Sequence, residues 1–392
     1  MTDVFIVSGA RTAIGTFGGS LKDTPPSVLG IETAKAAIAR AGIAAAEIEH
    51  SVYGQVIPSE PRDAYIARVI GVEAGLPLES PALTVNRLCG SGLQAIVSAA
   101  QSLMLGDCSI ALAGGAESMS RAPFHVQTNR WGRKLGDAAL VDALNGALTD
   151  PFNNVLMGVT GENVAERFGI SREQQDAAAV ESHRRAAAAI AAGRFVEQIV
   201  PINVGRRGKD VFFQTDEHVR PDVTAEELAG LRPAFKKDGS VTAGNASGIN
   251  DGAASLVLAT GDIVSQRGLK PMARLVAYAH AGVEPLYMGI GPVPATLAAL
   301  ARAGLSIKDI DVIESNEAFA AQACAVAREL GFDPTKVNPN GSGIALGHPV
   351  GATGAINTVK LIHELQRTGG RYGLVTMCIG GGQGIAAIFE RV

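Results

Sequence analysis

Short apolar runs alternate with stretches of small and apolar residues at helical spacing along the first third of the chain. Residues 4–8 read as a strand, 28–41 as an Ala-rich helix closed by Gly42, 51–56 as a second strand and 64–74 as a helix. Residues 81–84 approach another short strand. From 93 to 105 small and apolar residues recur at helical spacing with no breaker, and 110–115 read as a further strand ending in glycines. Strands separated by helices predict βαβ units and a largely parallel sheet. From about 120 to 241 the alternation lapses. Charge clusters there, in Arg130-Trp131-Gly132-Arg133-Lys134 and Gly205-Arg206-Arg207-Gly208-Lys209-Asp210. Ser171 with Gln174 three residues on predicts a capped helix start. We read this region as a long insertion folded over the sheet domains, the kind of segment that carries substrate-binding surface or serves as a structural lid.

The chain then repeats itself. Ala36-Ala37-Ile38-Ala39-Arg40-Ala41-Gly42-Ile43, followed by Glu47-Ile48-Glu49, matches Ala298-Ala299-Leu300-Ala301-Arg302-Ala303-Gly304-Leu305, followed by Asp309-Ile310-Asp311, at identical spacing. Further on, Val85-Asn86 pairs with Val337-Asn338. Each half next gives an Ala/Gly-rich helix and a strand ending in glycines, Gly114-Gly115 and Gly380-Gly381-Gly382. Two matches in the same order predict a duplicated α/β domain, whose halves bring equivalent turns to a shared pseudo-twofold axis.

Composition narrows the class. A chain of 392 residues exceeds the usual size of one core, and 47% hydrophobic against 18% charged residues supplies material for several. The net charge of −4 and the lack of a long basic block give no sign of nucleic-acid binding, and no run of about 18 apolar residues predicts a membrane span. The start runs directly into a strand without signal-peptide features. The cysteines Cys89, Cys108, Cys324 and Cys378 lie far apart with no C-x-x-C pair. Structural zinc and a disulfide framework are therefore not expected, and a reducing cytoplasm is the simplest compartment.

The chemistry centres on Asn86-Arg87-Leu88-Cys89-Gly90-Ser91-Gly92. Cys89 is predicted at a strand-to-helix turn, with Gly90 and Gly92 giving the turn its freedom and the helix start favouring thiolate. A buried, inert cysteine beside a glycine turn fits the same residues. In the second half, Gly347-His348-Pro349 frames a histidine able to take a proton from a thiol. Thr376-Met377-Cys378-Ile379-Gly380 puts a second cysteine at a strand end, followed by backbone N–H groups suited to an oxyanion hole. Asn316, after the strand read at 311–314, is placed to hold a water or polarise a carbonyl. Each is unremarkable singly; equivalent turns of a duplicated fold bring them together.

Asn86–Gly92, Asn316-Glu317-Ala318-Phe319, Gly347-His348-Pro349 and Cys378-Ile379-Gly380-Gly381-Gly382 resemble, in order, the motifs of the thiolase family, and the similarity extends over essentially the whole chain. Bacterial acetyl-CoA acetyltransferases and broad-specificity β-ketothiolases resemble it further at Pro61-Arg62-Asp63, Gly115-Ala116-Glu117-Ser118-Met119 and residues 289–294. The resemblance implies an α/β fold of two βαβαβαββ halves packed as a five-layered αβαβα core with a large inserted loop domain. We expect residues 1–119 plus 242–268 to form the first half, 120–241 the insertion and 269–392 the second half.

It further implies reversible Claisen condensation and thiolysis of 3-ketoacyl-CoA thioesters through an acyl-cysteine. Cys89 is then the nucleophile, His348 its base and Cys378 the acid/base at the α-carbon. Asn316 positions a water that, with His348, stabilises the enolate; N–H groups of Cys89 and Gly380 receive the tetrahedral oxyanion. By the same resemblance Ser247 contacts the pantetheine arm and Arg220 lies beside the adenine nucleotide. Leu148, Met157, Phe235, Ala243, Met288, Ala318 and Phe319 line the tunnel. No metal or organic cofactor is called for, and a homotetramer is implied. One departure stands out: short-chain biosynthetic members carry His-Met-Gly where this chain has Leu156-Met157-Gly158, so a broader acyl range is expected. A decarboxylating ketoacyl synthase would need a second histidine paired with His348. A dithiol redox protein would cycle its cysteines, and an acyl-CoA-binding protein has no reason to keep both cysteines and His348.

Overall fold

The computed structural model describes residues 2–205 and 208–392, so Arg206 and Arg207 of the basic cluster lie outside the described residues. In the first half, strand β1 (Val4–Thr12) leads to helix α1 (Pro26–Ala41), β2 (His50–Gly54), α2 (Ile66–Glu73), β3 (Ala82–Val85), α3 (Ser91–Leu105) and β4 (Ile110–Ser118). The chain leaves the layered core after β4. It passes through α4 (Met157–Phe168) and α5 (Arg172–Ala191), and returns with β5 (Asn250–Thr260). The second half runs β6 (Ala273–Gly282), α6 (Pro292–Ala303), β7 (Val312–Ser315), α7 (Ala320–Leu330), α8 (Thr353–Thr368), β8 (Tyr372–Ile379) and β9 (Gln383–Arg391).

The strands line up in the order β7-β8-β9-β6-β1-β5-β4-β2-β3, which is two half-sheets joined where Phe5 and Ile6 of β1 meet Arg274 and Ala273 of β6. Pairing repeats between halves. β2 runs parallel to β4 as β7 does to β8, and β4 is antiparallel to β5 as β8 is to β9. The pairs β1/β5 and β6/β9 even share a bulge, between Ile6 and Ser8 in one and Leu275 and Ala277 in the other. Val337, predicted as the counterpart of Val85, survives as a single bridge to Ile313 beside β7. The repeated Ala-Gly motif ends both α1 and α6 in left-handed glycines, Gly42 at φ 67° and Gly304 at φ 66°.

Alternation along the strands supplies two cores at once. On β5, Ala254, Leu256 and Leu258 face α3 and α8 in the central core, while Ala253, Val257 and Ala259 face α1 and α2 outside. On the second half-sheet, Leu374, Ala386 and Ile388 pack against α6 and α7. The result is five layers: α1/α2, sheet, α3/α8, sheet, α6/α7. Residues 88–105, contrary to the reading above, are long and apolar enough by composition to cross a membrane. Their apolarity has a simpler source, since α3 is sandwiched between two sheets and most of it is buried, Leu105 at its end being the exposed exception.

The glycines of the Cys89 turn differ from expectation. The left-handed residue is Leu88, at φ 45°, whereas Gly90 has φ −81° and Gly92 lies inside α3. A Cβ on Gly92 would sit 2.7 Å from the backbone nitrogen of Ala355, and one on Gly90 2.6 Å from Ile379. These glycines serve close approach: α3 lies backbone to backbone on α8, and the turn presses on the end of β8.

Candidate active site

Cys89 precedes α3 at the bottom of a small chamber of 60 Å³ lined by Val56, Leu88, Ala147, Leu148, Met157, Ser247, Met288, Ala318, Phe319, His348, Val350 and Gly380. Leu148, Met157, Ser247, Phe319, His348 and Val350 also line a larger outer cavity of 440 Å³, so the two form one passage towards the thiol. The predicted Phe235 and Ala243 line the outer cavity, as does Leu156. Phe235 meets Phe319 edge to face at 6.3 Å. Ser247 is fixed by its N–H on the Ala318 carbonyl at 2.9 Å, and Ala246 bridges Phe319. Arg220 is the exception among the residues predicted to hold the pantetheine arm and nucleotide: it is exposed and does not line the passage. Its backbone N–H donates to Nδ1 of His183, which stacks on His218, and His218 abuts Gly248 of the cavity wall. A bigger cleft, 880 Å³, lies elsewhere, between residues such as Arg194, Lys270 and Arg367, and contains none of Cys89, His348 and Cys378.

The Cys89 thiol does not have the lowered pKa expected of a helix start. Burial pushes it up to about 11, outweighing the N–H groups of Gly380 and Cys89 that point at its sulfur, and the Glu117 carboxylate raises it further. The walls responsible come from loops distant in sequence. At neutral pH the resting side chain is therefore a thiol that needs a base, and both N–H donors are already aimed at the reacting atom.

His348 is suited to be that base. Its Nδ1 lies 2.7 Å from the Thr353 hydroxyl, whose single proton is given to the Pro349 carbonyl at 2.9 Å. Hydrogen-bond accounting then assigns the ring proton to Nδ1 and leaves Nε2 as the acceptor nitrogen. The Nε2 atom faces the chamber side where Asn316 Nδ2 stands 3.4 Å away. Burial depresses the His348 pKa to about 4, so the ring is neutral. Its loop is docked on the first half by Asn250, whose side-chain oxygen accepts the His348 N–H at 2.9 Å. Asn316 is fully buried, and its Oδ1 has no partner among the described residues, leaving an acceptor for a small polar guest.

Cys378, at the end of β8, is fully buried and does not line the chamber. It packs against Met288, Ala318 and Phe319 of the chamber wall and is electrostatically coupled to Cys89. Desolvation, followed by the proximity of Cys89, pushes its thiol well above the ordinary range. The turn after it, with Gly381 at φ 79° and Gly382 at φ 84°, needs glycine and delivers the Gly380 N–H to Cys89. Sequence reasoning did not single out Thr353 or Asn250. Thr353 had a signal, a hydroxyl one helical turn past the His348 frame; Asn250 had none, because it arrives from the opposite half.

Comparison with known proteins agrees with this geometry. Residues 4–262 match the thiolase N-terminal domain and residues 269–391 the thiolase C-terminal domain. The chain is 64% identical to the beta-ketothiolase BktB of Cupriavidus necator, covering 100% of this chain and 99% of that protein. It is 50% identical to an acetyl-CoA acetyltransferase of Chromobacterium violaceum, covering 99% of this chain and all of the relative. Among solved structures, human mitochondrial 3-ketoacyl-CoA thiolase in complex with CoA superimposes with a TM-score of 0.97 at 46% identity, covering 100% of this chain and 98% of the other. The Bacillus anthracis acetyl-CoA acetyltransferase does so with a TM-score of 0.98 at 47% identity, over 100% and 99% of the two chains. With both domains matched in order and the fold shared end to end, this chain belongs to the thiolase family.

Proposed function

We propose that this thiolase is an acetyl-CoA C-acyltransferase that cleaves and forms 3-ketoacyl-CoA thioesters through acyl-Cys89. The observation that carries the reading is the meeting of one thiol, one basic imidazole nitrogen and two aligned N–H groups at the end of a mostly apolar passage. In condensation, Nε2 of His348 takes the Cys89 proton as sulfur attacks the first thioester. The oxyanion of that adduct is received by the N–H groups of Cys89 and Gly380, and coenzyme A leaves as the thiol with the proton of Cys378, which is left as a thiolate while His348 keeps the proton of Cys89. The Cys378 thiolate then removes an α-proton from a second acyl-CoA. A thiol of high pKa makes a strong conjugate base, as that step requires. The enolate oxygen is met by His348 and by a water on Asn316, and the α-carbon attacks acyl-Cys89. Collapse of the adduct restores the Cys89 sulfur and releases the 3-ketoacyl-CoA. Thiolysis is the reverse. The thioester itself acidifies the α-carbon, so the steps ask for no metal or organic cofactor.

The passage walls fit a pantetheine arm, with Ser247 as its polar anchor and exposed Arg220 beyond the rim for the nucleotide end. Leu156 adds an apolar wall to the outer cavity in place of a histidine, which supports a broad short-chain acyl range. A homotetramer, in a reducing cytoplasm that keeps Cys89 and Cys378 as thiols, completes the reading. The edge strand β3 exposes Leu83, and the arm around 124–141 exposes Phe124, Trp131, Leu135 and Leu140, apolar surface suited to contacts between copies. The test is to mix the protein with acetyl-CoA and map the adduct: one acetyl group on the peptide holding Cys89 supports the reading, and acetyl-CoA turnover with no acyl-Cys89 overturns it.

A further inference from the structure

Glu117 is the largest feature near the site with no part in the steps above. It stands near the end of β4, fully buried, and no cation among the described residues pairs with it. Its Oε2 accepts the N–H groups of Val56 and Gly351, both at 2.9 Å, and its Oε1 accepts that of Ile57 at 3.1 Å. The first and last belong to the loop after β2 in the first half, and Gly351 belongs to the loop that carries His348 from the second half. Val56 and Val350, one from each loop, both line the chamber around Cys89. One carboxylate thus ties the wall on the nucleophile's side to the loop bearing the base. The fit is close on both sides: a Cβ on Gly351 would run into Glu117 itself, and one on Gly115 would come within 2.9 Å of Ala352.

All three partners are donors, which matches an ionised carboxylate and would leave a carboxylic acid proton without an acceptor. Burial opposes that charge, pushing Glu117 up to about 8, while the three N–H groups pull it down and Asp63, on the turn Pro61–Tyr65, raises it. Cys89, on the turn before α3, is electrostatically coupled to Glu117, and His348 lies three residues before its partner Gly351. A carboxyl buried at this cost, and coupled to the Cys89 sulfur, calls for a role beyond packing.

We propose that Glu117 is a positioning residue for acylation, holding the His348 loop against the Cys89 wall through its three backbone N–H partners. Where ionised, its carboxylate also adds to the burial that disfavours the Cys89 thiolate. The proposal rests on the acyl-Cys89 reading given above. Its test uses the full-length protein and two variants, with the pH dependence of Cys89 alkylation by iodoacetamide read alongside steady-state thiolysis. Glu117→Gln removes the charge at nearly constant shape and turns an amide against one of three N–H donors. Its Cys89 alkylation profile moves about one pH unit towards acid, the size of a single neighbouring charge, and its kcat falls roughly tenfold with KM little changed. Glu117→Asp keeps the charge and withdraws the clamp by one methylene; its alkylation profile stays in place while kcat falls. An unshifted profile in Glu117→Gln overturns the electrostatic half of the proposal, and wild-type kcat in folded Glu117→Asp overturns the positioning half. Should Glu117→Gln not accumulate as folded protein, the Glu117→Asp arm decides. Failure of the wild-type enzyme to form acyl-Cys89 would instead sink the functional reading, so the two failures are told apart.

Discussion

Replacing Thr353 by valine isolates the claim that His348 acts through Nε2. The two side chains are nearly the same shape, but valine can neither accept from Nδ1–H of His348 nor donate to the Pro349 carbonyl, contacts of 2.7 and 2.9 Å. An orphaned buried polar group costs about 1–3 kcal/mol. The cost falls unevenly along the reaction. When Nε2 takes the Cys89 proton the ring becomes cationic, and the Nδ1–H bond to a hydroxyl becomes charge-assisted and roughly twice as strong. Thr353→Val therefore penalises the protonated ring more than the resting one, and it also frees the ring to carry its proton on the wrong nitrogen. A differential loss of about 1.4–2.7 kcal/mol corresponds to a 10- to 100-fold drop in kcat. KM should change little, because Thr353 lines neither cavity. Steady-state thiolysis of acetoacetyl-CoA reads both constants, with Thr353→Ser as the control that restores the hydroxyl. A folded Thr353→Val enzyme with wild-type kcat would refute the tautomer and its role.

Other consequences follow from the same geometry. Alkylation of Cys89 in the resting enzyme should keep rising with pH beyond 9, because its thiol is held at about 11, and acetyl-CoA should protect it. A plateau reached below pH 7 would indicate a resting thiolate, and prior reaction of Cys108 or Cys324 without protection would remove Cys89 as nucleophile. With Leu156 on the cavity wall, a five-carbon 3-ketoacyl-CoA should be cleaved with kcat/KM comparable to that for acetoacetyl-CoA; a deficit of more than about a hundredfold, near 2.7 kcal/mol, contradicts the broad range. His183, His280, His348 and His363 are each held at about 4 by burial. Unfolding lets them bind protons near 6.5, so the stability tied to their neutral forms is present above 6.5 and is lost as pH falls towards 4. The melting temperature should drop across that window, and a flat profile from pH 7 to 4.5 would contradict it.

The duplication was legible because the Ala-Gly helix end is a local device, and Gly42 and Gly304 do adopt the same left-handed cap. The Cys89 turn was legible as a place but not as a mechanism. Gly90 and Gly92 are demanded by Ile379 and Ala355, which lie more than two hundred residues away along the chain, so local reasoning assigned them to turning while Leu88 carries the positive φ. The thiol's acidity was misjudged for the same reason. A helix start is written in the sequence; the loops that strip water from Cys89 are contributed by both halves and by the insertion. The His348 frame could be seen, yet its attachment through Asn250 and, by way of Gly351, Glu117 depends on the halves meeting face to face. Residues 88–105 show the converse, a run whose apolarity fits a membrane span until its two covering sheets are known.

The central claim is a division of labour between two cysteines, and one paired measurement bears on it most directly. Attack of Cys89 on acetyl-CoA needs no carbanion, whereas carbon–carbon bond formation needs the α-proton removed. Cys378→Ala, mixed with acetyl-CoA, should still gain one acetyl group on Cys89 by intact mass, more slowly if Cys378 also protonates departing coenzyme A. In the parallel condensation assay it should lose at least about 10²–10⁴-fold in rate, the usual contribution of a general acid–base group. Normal condensation by Cys378→Ala, or a correctly folded variant that cannot be acetylated, would contradict the account.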